Sequence, residues 1–156
     1  MSRRDSQRSK VYAAEEFART VFARGGTADF FGTALTLPPE ARFGSVEDVQ
    51  RYVDRVLALP SVQAAPLTVR PRRGATAAHY ESRDGAGVIA VPDTATRWAL
   101  RELVVLHEIA HHLCLCDPPH GPEFAATMAE LAATVMGPEA GYVLRVLYDK
   151  HGVKLR

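Results

Sequence analysis

One five-residue motif constrains this chain more than any other feature. It reads His107-Glu108-Ile109-Ala110-His111, an HExxH pattern. On an α-helix, positions i and i+4 lie about 40° apart around the axis and one turn along it, so both imidazoles can bind one metal ion. Glu108 projects beside them, where it can take a proton from a water molecule on that metal. The motif therefore predicts a metal, a nucleophile and a general base in one place.

The flanking residues indicate that the motif lies within a helix. Residues 98–106 are apolar apart from Arg101 and Glu102, and the apolar character continues beyond the motif without proline or glycine. This pattern is typical of a long, largely buried helix. Buried imidazole and carboxylate groups are costly, and metal coordination would explain that cost. Three side chains are candidates for the N-cap: Asp93, Thr94 and Thr96.

A third metal ligand is expected after the motif, because catalytic zinc takes three protein ligands and leaves a fourth position open. Between Cys114 and Phe124 the chain contains two consecutive prolines, a glycine and a further proline, which predicts that the helix ends and the chain turns back. His120 lies in this turn just before Gly121, and imidazole suits zinc. We therefore expect zinc to be bound by three histidines: His107, His111 and His120.

Two carboxylates remain alternative third ligands. Asp117 occupies the last ligand position of an HExxHxxGxxH pattern, although Cys114 stands where that pattern has its glycine. Glu130 would lie on the following helix, where thermolysin-like enzymes place a glutamate ligand. Glu123 is expected to accept a hydrogen bond from a ligand imidazole and so orient it.

HEIAHH followed by HGPEF resembles the SprT-like zincin pattern. It is also similar to a family of small actinobacterial metallohydrolases that carry HExxHH and a downstream histidine. The resemblance covers roughly residues 85–136. It implies a zincin-like fold with Glu108 as the catalyst and three histidine ligands: His107, His111 and His120. The chain contains two cysteines, too few for the zinc ribbon of SprT-like proteins, so the resemblance does not carry their DNA-linked role with it.

These features predict a zinc-dependent metallohydrolase, foremost a metallopeptidase acting on a peptide or protein. Glu108 would accept a proton from the attacking water and deliver it to the leaving nitrogen. A donor to the developing oxyanion is also needed. Four side chains are candidates for that donor: His79, Tyr80, His112 and Tyr142.

Two other functions stay open. In a non-catalytic zinc-binding module for interaction or regulation, Cys116 or Asp117 would close the metal site as a fourth ligand. A DNA-associated SprT-like protease would bind phosphates through a basic tail or through a second cluster. That cluster comprises three arginines: Arg70, Arg72 and Arg73.

The remaining polar residues near the motif are expected to be structural. His112 lies about 100° around the helix from His111, so we expect a hydrogen-bonded or exposed side chain there and no metal ligation. Cys114 and Cys116 stand two positions apart on the expected helix and would point away from each other. We therefore expect free thiols in a reducing compartment.

Length and composition limit the architecture and the location. The 156 residues are 47% hydrophobic with a net charge of +1, which suits one α+β domain with a proper core. Apolar runs are too short for a membrane span, and no apolar segment follows the first residues, so we expect a cytoplasmic location. We expect a disordered basic tail at residues 1–8 and a single zincin-like domain at residues 9–156.

The expected fold is a small antiparallel or mixed sheet packed against helices that include the HExxH helix. Besides that helix, apolar periodicity and turn residues predict four helices: residues 9–24, 45–60, 122–136 and 138–150. One strand is expected within residues 27–37. An antiparallel meander is expected from three short strands separated by turns at Arg73-Gly74 and at residues 84–87: residues 67–70, 77–81 and 88–91. The family resemblance implies that Val88–Val91 or a neighbouring strand binds extended peptide along its edge.

Overall fold

The computed structural model describes residues 3–72, 77–83, 86–92 and 100–156. Over these residues the chain is mixed α+β, as predicted, with five helices and five strands. In chain order they are α1 (Arg8–Arg24), β1 (Gly26–Phe30), β2 (Thr33–Leu37), α2 (Val46–Leu57), β3 (Leu67–Arg72), β4 (His79–Arg83), β5 (Ala86–Pro92), α3 (Glu102–Cys114), α4 (Pro122–Met136) and α5 (Pro138–Lys150).

None of the helices within the described ranges has the length and apolar character needed to cross a membrane. The chain divides into two compact units. The first comprises residues 1–40 and 114–156, and the second comprises residues 41–113.

The first unit is built around α5, against which α1, α4 and β2 pack. The predicted bounds of α4 and α5 are confirmed, and a proline at the start of each helix accounts for them, since proline suits the first helical position. Gly141 on α5 lies so close to α4 that a Cβ there would come within 2.6 Å of Ala133 Cβ. The two helices therefore need a glycine at this contact.

Residues 27–37, predicted as one strand, instead form a two-stranded antiparallel hairpin. Gly26 pairs with Leu37 at its open end and Phe30 with Thr33 at its closed end. The two loop residues have positive φ angles, 48° at Phe31 and 86° at Gly32. Positive φ at both positions matches the two-residue turn that suits twisted strands. Phenylalanine is uncommon in such a turn, which is why the sequence indicated it poorly.

In the second unit, α2 begins as predicted at Ser45, whose Oγ accepts a hydrogen bond from the Asp48 N–H at 3.1 Å. Gln50 on this helix binds β3. Its side-chain amide donates to Leu67 O at 2.9 Å, and its carbonyl accepts from the Val69 N–H at 2.7 Å. These bonds satisfy backbone groups on β3, an edge strand of the sheet that forms the centre of this unit.

The predicted antiparallel meander is wrong in its strand order. The sheet runs β3-β5-β4, with β5 parallel to β3 and antiparallel to β4. The strand richest in buried apolar residues, β5, takes the centre, where both faces can be covered. Val88–Ala90 is thus paired on both sides and cannot accept a peptide strand, whereas the neighbouring β4 is an edge among the strands that the structure describes. Of the turn predicted at residues 84–87, Ala86 and Gly87 instead begin β5. Asp84, Gly85 and the turn predicted at Arg73-Gly74 lie outside the described residues.

The motif helix α3 is buried along most of its length. Every residue from Glu102 to Ala110 is buried. The Glu102 carboxylate accepts hydrogen bonds from the Ala41 N–H, at 3.0 Å, and from the Tyr52 hydroxyl, so its burial is compensated. The expected helical residues before Leu100 lie outside the described part of the chain. So do the three candidate caps, Asp93, Thr94 and Thr96.

Tyr148→Phe is expected to lower the free energy of unfolding by about 1–3 kcal/mol. Tyr148 is fully buried, and its hydroxyl donates to Glu15 Oε2 at 2.6 Å. Burial and the Glu15 charge raise the pKa of Tyr148 well above its usual value, so the phenol stays protonated. Urea denaturation measures the loss. Tyr142→Phe is the matched control, because Tyr142 is 41% exposed; equal losses in both variants would contradict the expectation.

Candidate metal centre

His107 and His111 present their Nε2 atoms to each other from successive turns of α3. The two atoms lie 3.2 Å apart, and the rings meet edge to face with centroids 4.9 Å apart. Two zinc–nitrogen bonds of roughly 2.0–2.1 Å at a tetrahedral angle would place the nitrogens about 3.3 Å apart. The pair therefore has the spacing that a shared zinc ion requires.

His120 completes a group of three. One ligand atom from each of His107, His111 and His120 lies within 4.8 Å of the other two. His107 and His120 are buried and His111 is half-buried. A search of the described histidine, cysteine, aspartate and glutamate residues identifies these three histidines as a group that could hold a metal ion. The structure thus brings together the three histidines chosen from the sequence.

Helix α3 ends at Cys114 and a turn follows it, as the prolines and glycine predicted. Leu115 leaves the helix with a positive φ of 49°. The Gly121 N–H then donates to Pro118 O at 3.1 Å, and Pro122 begins α4. His120 is held inside this short turn, immediately before a helix that anchors it.

Asp5 holds His120 through two hydrogen bonds. Its Oδ1 accepts from the His120 backbone N–H at 3.0 Å, and its Oδ2 lies 2.8 Å from His120 Nδ1. A carboxylate can only accept in this contact, so Nδ1 carries the proton and Nε2 is the nitrogen left for a metal. The ring also packs between Tyr12 and Phe124, with centroid distances of 5.2 and 5.1 Å.

Asp5, and not Glu123 as expected, is therefore the carboxylate that orients a ligand imidazole. Glu123 Oε1 instead accepts from Arg156 Nη1 at 3.3 Å. Asp5 is 115 positions from His120 in the sequence, within a segment expected to be disordered, so no local pattern pointed to it.

The segment before α1 makes further hydrogen bonds where the structure describes it. The Arg3 N–H donates to Asp117 Oδ1 at 2.9 Å. The Gln7 side chain donates to His120 O at 3.2 Å and accepts from the Lys154 N–H at 2.7 Å. The helix then starts at Arg8, within one residue of the predicted start. Met1 and Ser2 of the expected tail lie outside the described residues.

The alternative third ligands lie outside the histidine group. Asp117 is exposed and accepts from Arg3, and Glu130 is exposed on α4. Neither belongs to the group of residues that could hold a metal ion.

The expectation of free thiols is wrong, since Cys114 and Cys116 form a disulfide. It assumed that both cysteines lie on one helix. Cys114 is the last residue of α3, and the positive φ at Leu115 turns Cys116 back towards it, to a Cα–Cα distance of 5.1 Å. That distance is within the usual range for a disulfide.

Glu108 and His112 differ in their surroundings. Glu108, which follows His107 in the sequence, is 5% exposed. His112 is hydrogen-bonded, as predicted: its Nε2 lies 2.8 Å from Ala65 O and its Nδ1 3.1 Å from the Tyr80 hydroxyl. A carbonyl can only accept, so Nε2 carries the proton and neutral His112 accepts from Tyr80 at Nδ1.

Tyr80 stands out among the four candidate oxyanion donors. Its ring stacks on that of His111, with centroids 6.3 Å apart and planes at 20°. Both nitrogens of His112 are already engaged, His79 is exposed, and the Tyr142 hydroxyl lies 3.3 Å from Thr33 Oγ1. Burial raises the pKa of Tyr80 above its ordinary 10.0, against a smaller opposing effect of a hydrogen bond with Ser82.

The arginine cluster considered for phosphate binding is partly engaged within the chain. Arg70 Nη2 lies 2.7 Å from Glu81 Oε1 on the neighbouring part of the sheet. Arg72 donates to Ala77 O at 2.9 Å, and Arg73 lies outside the described residues. These contacts give no particular support to a nucleic-acid surface.

Comparison of this chain with protein-family models, with curated proteins and with solved structures found no match. The assignment of the site therefore depends on its own chemistry. Three imidazoles, one oriented by a carboxylate, form a donor set suited to zinc and to other first-row transition metals.

His120→Ala is expected to weaken Zn²⁺ binding by more than about 100-fold. Loss of a residue that hydrogen-bonds to a metal ligand lowers metal affinity about 10- to 100-fold, and loss of the ligand itself should lower it further. Competition with a chromophoric chelator measures the affinity. His112→Gln is the matched control, since it removes an imidazole next to His111 that lies outside the group. Comparable weakening in both variants would argue against this choice of ligands.

Proposed function

We propose that this chain is a zinc-dependent metallohydrolase, and foremost a metallopeptidase. The observation that carries the proposal is the group of three histidines whose ligand atoms lie within 4.8 Å of one another. Glu108, which follows His107 in the motif, is buried on the same helix as His107 and His111. Three protein ligands leave a position open for water, which distinguishes catalytic from structural zinc sites. The zincin-like motif supports the same class.

Among the described residues the group contains three ligands, which favours catalysis over a closed structural site. A non-catalytic module would need a fourth protein ligand. Cys116 and Asp117 were the candidates, but Cys116 is bonded to Cys114 and Asp117 accepts from Arg3. Neither contributes to the group of three histidines.

Glu108 is the proposed general base. A bound zinc ion supplies Lewis acidity, which makes water nucleophilic near neutral pH. Glu108 takes the proton of the attacking water and passes it to the leaving nitrogen of the peptide. Burial of the carboxylate keeps bulk water away from this transfer. The contacts along α3 hold Glu108 on the helix that carries His107 and His111.

Tyr80 is the proposed donor to the developing oxyanion. Its raised pKa keeps the phenol protonated across the neutral range. In the structure the hydroxyl donates to His112 Nδ1. An anionic oxygen is a stronger acceptor than a neutral imidazole, so the hydroxyl can exchange one for the other as charge develops.

The substrate is proposed to be an extended peptide lying along β4. Among the described strands β4 is an edge of the three-stranded sheet, and it carries Tyr80, whose ring stacks on His111. A peptide added to the outer edge of β4 would gain backbone hydrogen bonds. Its carbonyl groups would then pass beside Tyr80.

Glu108→Gln is expected to lower kcat/KM by roughly 10²–10⁴-fold while Zn²⁺ binding is retained, because glutamine cannot accept the proton. Hydrolysis of a pooled set of quenched fluorescent peptides and chelator competition measure the two properties. Glu123→Gln is the matched control, since Glu123 pairs with Arg156 at the surface. Unchanged hydrolysis by Glu108→Gln would refute the assigned base.

Tyr80→Phe is expected to lower kcat by roughly 10²–10³-fold with little change in KM or in metal affinity, as for the loss of one oxyanion donor. Because the pKa of Tyr80 lies above 10.0, the ratio of wild-type to variant kcat should stay constant from pH 7 to pH 9. Steady-state kinetics across that range tests both statements. A selective rise in KM would instead indicate a role in binding the substrate.

A further inference from the structure

The proposed metal centre depends on a contact outside the motif. Asp5 uses both carboxylate oxygens on one residue, with Oδ1 3.0 Å from the His120 backbone nitrogen and Oδ2 2.8 Å from His120 Nδ1. Bonds to a ring and to its own backbone N–H restrict rotation of the imidazole as well as its position. The His120 side chain is 7% exposed and that of Asp5 is 22% exposed, so the contact is shielded from water.

Gln7 also binds His120, at its backbone carbonyl. Its side-chain amide donates to His120 O at 3.2 Å and also to Lys154 O at 3.4 Å, while its carbonyl accepts from the Lys154 N–H at 2.7 Å. We call Asp5 and Gln7 together the N-terminal clasp. The clasp thus engages the backbone N–H, the backbone carbonyl and one ring nitrogen of His120.

We propose that Asp5 is the positioning residue of the metal centre, which fixes the Nδ1-protonated tautomer of His120 and leaves Nε2 as its metal ligand. This inference rests on the proposed three-histidine site. A neutral imidazole has one protonated and one unprotonated nitrogen, and a metal binds the unprotonated one. The carboxylate can accept only from Nδ1–H, so it selects the tautomer that binding through Nε2 needs.

Metal binding and the N-terminal clasp are therefore linked. If the clasp favours the ligand tautomer, a metal on His120 must stabilise the clasp by the same factor. Residues before α1 would then report on the metal, and displacement of Asp5 by another partner would weaken metal binding. The segment becomes a point at which activity can be regulated without contact with the other ligands.

Asp5→Asn tests the tautomer directly. Asparagine can still accept from the His120 backbone N–H, but its amide then donates to Nδ1 and leaves the proton on Nε2. We expect Zn²⁺ affinity to fall by about 10- to 100-fold, the usual cost of losing such a partner. In the metal-free proteins at pH 8, ring ¹⁵N chemical shifts should place the His120 proton on Nδ1 in the wild type and on Nε2 in Asp5→Asn.

Asp117→Asn is the matched control, because Asp117 accepts from Arg3 of the same N-terminal segment but does not contact an imidazole in the structure. It should bind Zn²⁺ as the wild type does. Equal weakening by both variants, or wild-type affinity in Asp5→Asn, would overturn the inference. If Asp5→Asn fails to fold, the wild-type ¹⁵N shifts decide: a proton on Nε2 overturns it. A wild-type chain that binds no Zn²⁺ would refute the metal centre itself, whereas bound zinc without coupling refutes only the role of Asp5.

Discussion

The 3.2 Å approach of His107 Nε2 to His111 Nε2 is the interaction around which the proposed site is organised. Helical spacing imposes it, because i and i+4 side chains lie on one face. The approach is compatible with two states. Without a metal, one ring donates its N–H to the other, and with a metal both nitrogens can turn lone pairs to it. A buried helix can therefore carry this pair without leaving either Nε2 atom unsatisfied.

Because His107 and His111 supply only two ligands, other residues have to complete the proposed metal site. The site needs a third imidazole, and α3 does not supply it, since the neighbouring positions on the same face are occupied by Leu103 and Cys114. The third imidazole, that of His120, lies in the short turn that follows α3. The turn leaves the helix through the positive φ of Leu115 and starts α4 at Pro122. A Cβ on Gly121 would lie only 3.0 Å from Pro118 Cγ, so this position favours glycine. Asp5 and Gln7 then hold His120 in the turn.

Buried polar groups elsewhere in the chain follow a related rule. Glu15 accepts from Tyr148 in the first unit, and Glu102 accepts from Tyr52 in the second. Each carboxylate lies in an apolar setting with a tyrosine donor, which offsets the cost of its burial. Glu108 is buried too, and it belongs to the motif that carries two of the three candidate metal ligands. Its place in that motif is what distinguishes the proposed catalyst from the two carboxylates bonded to tyrosines.

Elements with strong local signals could be predicted from the sequence. Helix α2 has a serine cap, and α4 and α5 each start at a proline, so the starts of these helices followed from short-range rules. The end of α2 did not, since the helix stops at Leu57 and not at residue 60. The β1–β2 hairpin was missed because its turn contains Phe31, an unusual residue at positive φ. The disulfide was missed because the position of Cys116 depends on the backbone angle of the residue before it.

The sequence by itself determined the chemistry of the candidate site. Three local patterns carry it: HExxH at helical spacing, a histidine in a proline-rich turn, and an apolar helix around the motif. Such patterns can be recognised from residues that are close together in the sequence. Only the tertiary structure decided that β5 is the central strand, that β4 is an edge, and that Asp5 is the partner of His120. These choices join residues far apart in the chain, and they depend on which surfaces pack together, which short-range periodicity does not encode.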